Sequence, residues 1–395
     1  MLVIVAPGQG AQSPGFLTPW MEIPTFTERL TWLSAVSSLD LGHYGSQADA
    51  ETIRDTAVAQ PLLVASGLLA ALELFPHPAD AFGRIGAVAG HSVGELTAAA
   101  GARVISAEQA MVLVRERGRA MAAAAATTAT SMTAVLGGNR DEVLAKITQH
   151  GLTAANDNGP GQVVAAGTVE QLQAFAEDPP AKARLVPLSV AGAFHTEHMA
   201  SAVEVLGGLA RSVSTHDART PIISNRDGQI AHDGVDVLRR IVTQVRTPVR
   251  WDLCMETMLD LGVTGLLEMP PAGTLAGIAK RAMKGVETFA LKTPDQLDDA
   301  RAFIDKHGVA SQIDTNPTWR MLVSPSKGTF HRVDDLDEGS SIAPDARIGA
   351  VQGRQEETAV TAPYGGTVVE WLVHDGDLVS PGQPLIRLHP EGVPS

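Results

Sequence analysis

Residues 85–95 read Ile-Gly-Ala-Val-Ala-Gly-His-Ser-Val-Gly-Glu, and this stretch decides the fold. Ile85 to Ala89 is a short apolar run, read as a strand buried on both faces in a parallel sheet. It stops at Gly90-His91-Ser92-Val93-Gly94, which fits the pattern G-x-S-x-G. A helical pattern begins at Glu95. Strand, tight turn and helix are the context in which this motif lifts a serine hydroxyl clear of the backbone. The glycines permit the turn, and the helix N-terminus offers free N–H groups to a developing oxyanion. Without that context Ser92 is only a helix cap.

Working outward, Leu2 to Ala6 is a second apolar run and ends at Pro7-Gly8-Gln9-Gly10-Ala11-Gln12. Helical patterns follow at Ala59–Leu74 and Glu95–Ala124. Strands alternating with helices predict an α/β core with a mostly parallel sheet. From 131 to 189 the texture changes. Strands are expected at Thr133–Gly137, Gln162–Ala166 and Arg184–Ser189, with helices at Asp141–Gln149 and Glu170–Glu177. This reads as an inserted ferredoxin-like α+β subdomain. The parent domain resumes near Gly192, through Pro221–Asn225 and the buried run Thr264–Met269. The expected division is a core over 1–130 and 190–310, an insert over 131–189, a polar linker over 311–320 and an all-β module over 321–395. Strands of that module are read at Phe330–Val333, Thr358–Thr361, Thr367–Val373 and Pro384–Leu388.

The 395 residues suit two or three domains, and 44% hydrophobic against 19% charged residues is enough to bury a core. The formal charge of −14 leaves no electrostatic footprint for duplex nucleic acid. The single cysteine, Cys254, excludes an intramolecular disulfide and a cysteine-based zinc cluster. The N-terminus lacks the basic segment of a signal peptide. The most apolar stretch, Pro61 to Pro76, is read as too short to span a membrane. A soluble cytoplasmic protein without metal or cofactor is expected.

A nucleophilic serine needs a base. Among twelve histidines, His195 in Gly192-Ala193-Phe194-His195-Thr196 is preferred, because it sits in a small-residue loop after an expected strand. His91 lies within the elbow and supports the turn; His43, His198 and His216 read as surface residues. The Gln9 loop reads equally as a second oxyanion donor or as an ordinary turn. Arg117, on its own, reads as one of several exposed arginines on a helix with Arg115 and Arg119.

Taken together, Gly8-Gln9-Gly10-Ala11-Gln12, Gly90 to Glu95, Arg117-Gly118, Gly192 to His195 and Gln244…Pro248-Val249-Arg250-Trp251 resemble, in order and spacing, the malonyl-CoA:acyl carrier protein transacylase family of fatty-acid synthesis. The resemblance covers about 1–295. It implies an α/β-hydrolase-like core with a ferredoxin-like insert. It implies Ser92 as acylated nucleophile, His195 as general base and the N–H groups of Gln9 and Val93 as oxyanion hole. A carbonyl near Gln244 would orient His195, and Arg117 would hold the free malonyl carboxylate. A guanidinium fork suits a planar carboxylate. Phe194 would favour unbranched malonyl over methylmalonyl, or simply pack the core. Asn156, Asn158 and Gln162 match the family's Asn-rich segment and read as structural. The implied partners are malonyl-CoA and acyl carrier protein. Lys280, Arg281 and Lys284 would either dock that acidic carrier or form a solvated face. Met269-Pro270-Pro271-Ala272-Gly273 departs from the family's usual Gly-Pro-Gly turn.

The C-terminal segments Ser324–Phe330, Thr361–Val368 and Asp375–Leu385 resemble a biotinyl/lipoyl carrier domain, a flattened sandwich (barrel-sandwich hybrid) of two hairpin halves. An unrelated β module is the alternative. The tip that would carry the modified lysine falls at Arg354-Gln355-Glu356, with Gln355 in the lysine's place. No biotin or lipoate is therefore expected. The module would serve docking or stability, and would place the enzyme near acetyl-CoA carboxylase components. Three other readings stand: a serine esterase or thioesterase with Asp141, Asp157 or Asp178 as its acid, a stand-alone polyketide-synthase acyltransferase, and a non-catalytic scaffold.

Overall fold

The structure is a computed structural model that describes the chain apart from residues 78, 191, 310–319, 334–335, 354–355 and 391–395. The chain forms two compact units, Met1–Asp314 and Thr315–Ser395.

In the first unit the two apolar runs lie side by side and parallel, as strands Leu2–Ala6 and Ala87–Gly90. The sheet runs in the order Glu287–Ala290, Gly265–Glu268, Leu2–Ala6, Ala87–Gly90, Ile222–Ile223, Ile230–Ala231. Every neighbouring pair is parallel except the last. Alternate side chains leave a strand on opposite faces. Val88 accordingly joins one core cluster, while Ala87 and Ala89 join the other. Both faces are covered, which is why these strands lack a polar alternation.

The insert follows the order strand Thr130–Gly137, helix Arg140–Gln149, strands Thr153–Asp157 and Gln162–Thr168, helix Val169–Glu177, strand Ala183–Pro187. Its antiparallel sheet places Ala183–Pro187, Thr130–Gly137, Gln162–Thr168 and Thr153–Asp157 side by side, the ferredoxin-like arrangement. A fifth strand, Val249–Arg250, comes from the core and joins the Thr153–Asp157 edge in parallel. Arg140 reinforces this junction by bonding both Asp157 of the insert and Asp252 of the core.

The second unit has two antiparallel four-stranded sheets. One holds Arg320–Val323, Pro384–Pro390, Gly366–Trp371 and Ser341–Ile342; the other holds Glu357–Thr361, Arg347–Gln352, Gly328–Arg332 and Leu378–Val379. Phe330, Ile348 and Val360 from one sheet share a single core with Val368, Leu385 and Leu388 from the other. The strand expected at Thr367–Val373 starts one residue earlier and ends at Trp371. Gln352 pairs with Glu357, and Gly353 N donates to Glu356 O. Of the expected tip residues Arg354, Gln355 and Glu356, the first two lie outside the described residues, as does the linker except Arg320, which opens a strand.

Several expectations need correction. The helix expected over Glu95–Ala124 is two, Gly94–Gly101 and Ala107–Ala125. Arg103 between them adopts φ +68°, and Ser106 starts the second helix with a capping box to Gln109. The apolar stretch after Pro61 belongs to a 19-residue helix, Thr56–Leu74, long and apolar enough to cross a membrane by length and composition. In the folded chain 72% of its most apolar window is buried, so it packs as a core helix. Strands Thr153–Asp157, Val249–Arg250, Ile230–Ala231 and Glu287–Ala290 were not expected. The first is Ala/Asn-rich and the next two have two residues each, too little β-branched pattern to register.

Candidate active site

The elbow is built by steric necessity. A Cβ at Gly90 would lie 1.9 Å from the Gly94 carbonyl carbon, and one at Gly94 would lie 2.2 Å from Ala6 O. Only glycine fits either place. Ser92 between them takes φ +53°, a conformation that non-glycine residues adopt rarely and at functional sites. The first loop closes on the elbow as well: His91 N donates to Ala6 O at 2.9 Å, and a Cβ on Gly8 would meet His91 O at 2.9 Å.

His195 also has positive φ, +61°, and is buried. Its Nε2 lies 2.8 Å from Ser92 Oγ and its Nδ1 2.8 Å from the backbone oxygen of Gln244. A carbonyl only accepts, so Nδ1 carries the proton and Nε2 is free to accept from the serine hydroxyl. Burial, and then the Arg117 charge, push the imidazole down to about 3. It is neutral at physiological pH, the form a general base requires.

Arg117 is 1% exposed. The reading of it as an exposed arginine is therefore wrong. Helix Ala107–Ala125 aims it inward, and its guanidinium donates to Ser92 Oγ at 3.3 Å and to Gln244 Oε1 at 2.8 Å. Its Nε and second terminal nitrogen are buried without a partner. Burial draws it down to about 10, against the pull of Glu95. A buried guanidinium with two idle nitrogens beside a nucleophile is prepared for an anion, since an unmet buried donor is costly.

Sequence reasoning missed two members of the site. Asn225, fully buried, accepts from Ser92 N at 2.8 Å and donates from Nδ2 to Gly90 O at 2.7 Å. Glu95, 3% exposed, accepts from Asn225 N at 2.7 Å and from Gln244 Nε2 at 2.5 Å. Burial raises its carboxyl to about 7 although these bonds and Arg117 oppose the shift. The available signal for Asn225 was its place after strand Ile222–Ile223, since open α/β sheets gather ligands at the strands' carboxyl ends.

The remaining residues fall less centrally. His91 meets Asn158 Oδ1 at 2.8 Å and packs edge-on to Trp251, a turn support. Val93 immediately precedes helix Gly94–Gly101, where N–H groups lack intrahelical acceptors. Gln9 sits in the loop against the elbow, its side chain donating to Arg54 O at 3.1 Å. Phe194 is buried in the main core cluster. Lys280, Arg281 and Lys284 are exposed at the end of helix Thr274–Ala282. At the altered turn, buried Glu268 accepts from the N–H groups of Gly273, Leu275 and Ala276 and caps that helix. Of the acids proposed for a hydrolase triad, Asp157 is bound to Arg140 and Asp178 to Lys146, and Asp141 lies near Arg140. None serves His195, whose Nδ1 is taken by a carbonyl. Among the described residues no group of three metal-ligating side chains occurs.

Known proteins resemble this chain over most of its length. The family described as acyl transferase domain matches residues 3–312. The malonyl CoA-acyl carrier protein transacylase of Mycobacterium tuberculosis H37Rv is 48% identical over 299 residues, 76% of this chain and 99% of the relative. That of Mycolicibacterium smegmatis is 50% identical over 286 residues, 71% and 98%. The crystal structure of the M. tuberculosis enzyme aligns with TM-score 0.74 and 47% identity over 76% of this chain and 99% of that one. A malonyl-transacylase solved with a type II polyketide acyl-carrier protein aligns with TM-score 0.71 and 27% identity, over 76% and 99%. The chain belongs to the acyl transferase domain family, with the malonyl CoA-acyl carrier protein transacylases as its near relatives.

Proposed function

We propose that this protein is an [acyl-carrier-protein] S-malonyltransferase, moving malonyl from malonyl-CoA to the phosphopantetheine thiol of acyl carrier protein in fatty-acid synthesis. The observation that carries the reading is Arg117, buried, with two unpaired nitrogens beside the Ser92 hydroxyl. Malonyl differs from acetyl chiefly by a carboxylate, and the idle fork suits that group.

In the first half-reaction His195 Nε2 takes the Ser92 proton as Oγ attacks the thioester carbonyl. The N–H groups of Gln9 and Val93 receive the oxyanion. The tetrahedral intermediate collapses, the C–S bond breaks, and the imidazolium returns its proton to the leaving thiolate of coenzyme A. In the second half the carrier thiol gives its proton to His195 and attacks the malonyl-serine ester; Ser92 leaves and is reprotonated. Ping-pong kinetics follow. Each chain residue serves binding, orientation or proton transfer, and no cofactor is called for.

The exposed cations Lys280, Arg281 and Lys284 suit an acidic carrier. The second unit is read as an unmodified relative of biotinyl/lipoyl domains that brings carboxylase components near, and the protein is read as cytoplasmic. Intact mass after brief mixing with malonyl-CoA tests the central claim. A malonyl-sized gain on the wild type, absent in Ser92→Ala, is expected. No adduct on folded wild-type protein at the earliest times overturns it. Rapid release of free malonate without carrier favours the thioesterase reading instead.

A further inference from the structure

We propose that Glu95 is a positioning residue that sets the preference for a carboxylate-bearing acyl group: its buried carboxylate fixes the Gln244 carboxamide with the NH2 turned to the acid and the oxygen turned to Arg117. The inference rests on the reading of Arg117 as the carboxylate clamp.

Gln244 is the node of the site. Its main-chain oxygen holds His195 Nδ1, and its side-chain oxygen holds Arg117. A carboxamide can sit either way round, and only its neighbours decide which. Three acceptors face Nε2: Glu95 Oε2 at 2.5 Å, Ser92 O at 3.0 Å and Asn225 Oδ1 at 3.1 Å. The nearest is the carboxylate, an acceptor at both oxygens. Its other oxygen is occupied by Asn225 N, the residue that holds Ser92 N. Glu95 thus braces two groups of the site and touches no reacting atom. The bond also polarises the amide, so Oε1 becomes a better acceptor for Arg117.

The isosteric change Glu95→Gln separates this role from a packing role. A glutamine there has one oxygen for two donors, Asn225 N and Gln244 Nε2. Its own NH2 must then confront a donor. Satisfying Asn225 turns the Gln244 amide away, which presents an NH2 to Arg117 and displaces the guanidinium. The His195 contact, made by a main-chain oxygen, is untouched. Loss of charge alone would do the opposite: with Glu95 neutral, Arg117 would lack its buried counter-ion and prefer an anion more strongly. The sign of the change is therefore the readout.

The experiment measures single-turnover acylation by malonyl-CoA and by acetyl-CoA, followed by intact mass, for wild type, E95Q, R117A and E95Q/R117A. For E95Q a loss of about 10- to 100-fold is expected with malonyl-CoA and less than about threefold with acetyl-CoA. In the R117A background E95Q should add nothing, because the two act through one contact. Equal losses with both donors, an unchanged preference or a stronger malonyl preference each overturn the proposal. Should E95Q not fold, Gln244→Met breaks the same link and keeps the main-chain oxygen; a retained malonyl preference, or equal loss with both donors, overturns it again. Failure of the wild type to take malonyl sinks the transferase reading itself, a result distinct from all of these.

Discussion

His195 is kept neutral by its surroundings. Burial holds the imidazole down, and the nearby Arg117 guanidinium adds to it. Replacing Arg117 by Ala removes the only guanidinium bonded to Ser92 Oγ among the described residues. Malonyl acylation should fall roughly 100-fold in Arg117→Ala, with acetyl transfer kept or raised. Arg117→Lys should recover part of the loss, since an ammonium supplies charge without the fork. Equal rates for Lys and Arg would remove the bidentate argument. His195 gives a second residue-scale prediction. With its folded value near 3, reaction of Ser92 with a neutral fluorophosphonate should vary less than about twofold between pH 8 and 5; a fall centred near 6.5 would contradict it. The stability signs oppose each other. The unfolded chain binds more protons at His195 between about 3 and 6.5, so this group's contribution falls as pH falls through that window. Glu95, raised to about 7, binds more protons when folded between 4.5 and 7, so its contribution falls as pH rises through that window.

The turn that carries Ser92 depends on glycines more than on any side-chain contact. Gly94→Ala would drive a methyl against Ala6 O, a backbone atom that cannot step aside. A loss of about 3 kcal/mol or more, or no folded protein, is expected. Gly101→Ala, with open space around its Cβ position, should leave the melting temperature unchanged or raised. Equal melting temperatures for the two variants would refute the steric account. The same element shows what sequence could reveal. The strand, elbow and following helix were legible because apolar run, glycine spacing and helical pattern agree at one place. Ser92 was legible from that elbow and His195 was preferred among the histidines, whereas Gln244 was legible only through the linked motifs. The family resemblance also implied that a carbonyl near Gln244 orients His195, which Gln244 O does; the side-chain bond from Arg117 to Gln244 Oε1 was not legible, because nothing in the spacing joins a helix residue to one 127 positions away. The burial of Arg117 was hidden by Arg115 and Arg119, its charged neighbours on the helix. The break after Gly101 was hidden because Val104 and Ile105 are as apolar as the helices they separate and are buried with them.

At the scale of the whole molecule, the site lies within one unit. Every distance above joins residues of Met1–Asp314, and the family match ends at 312. That unit has its own clusters of buried side chains, and Thr315–Ser395 has another built from both of its sheets. Each cluster is closed within its unit, as expected of domains able to fold independently. Fragment 1–314 should therefore fold, take malonyl on Ser92 and do so within about twofold of the full chain. Fragment 315–395 is small for a single core and should melt earlier but cooperatively. Circular dichroism melting and intact-mass acylation check both. A folded 1–314 that does not acylate would show that the second unit contributes to catalysis. Full activity would direct the search for the second unit's role to its partners, where pull-down of carboxylase subunits by 315–395 with and without 1–314 reads the docking proposal directly. The intact mass of 315–395 also tests whether the module is modified. A biotin- or lipoate-sized gain would have to fall on Lys327, the only lysine after Lys306, and would overturn the reading of an unmodified module.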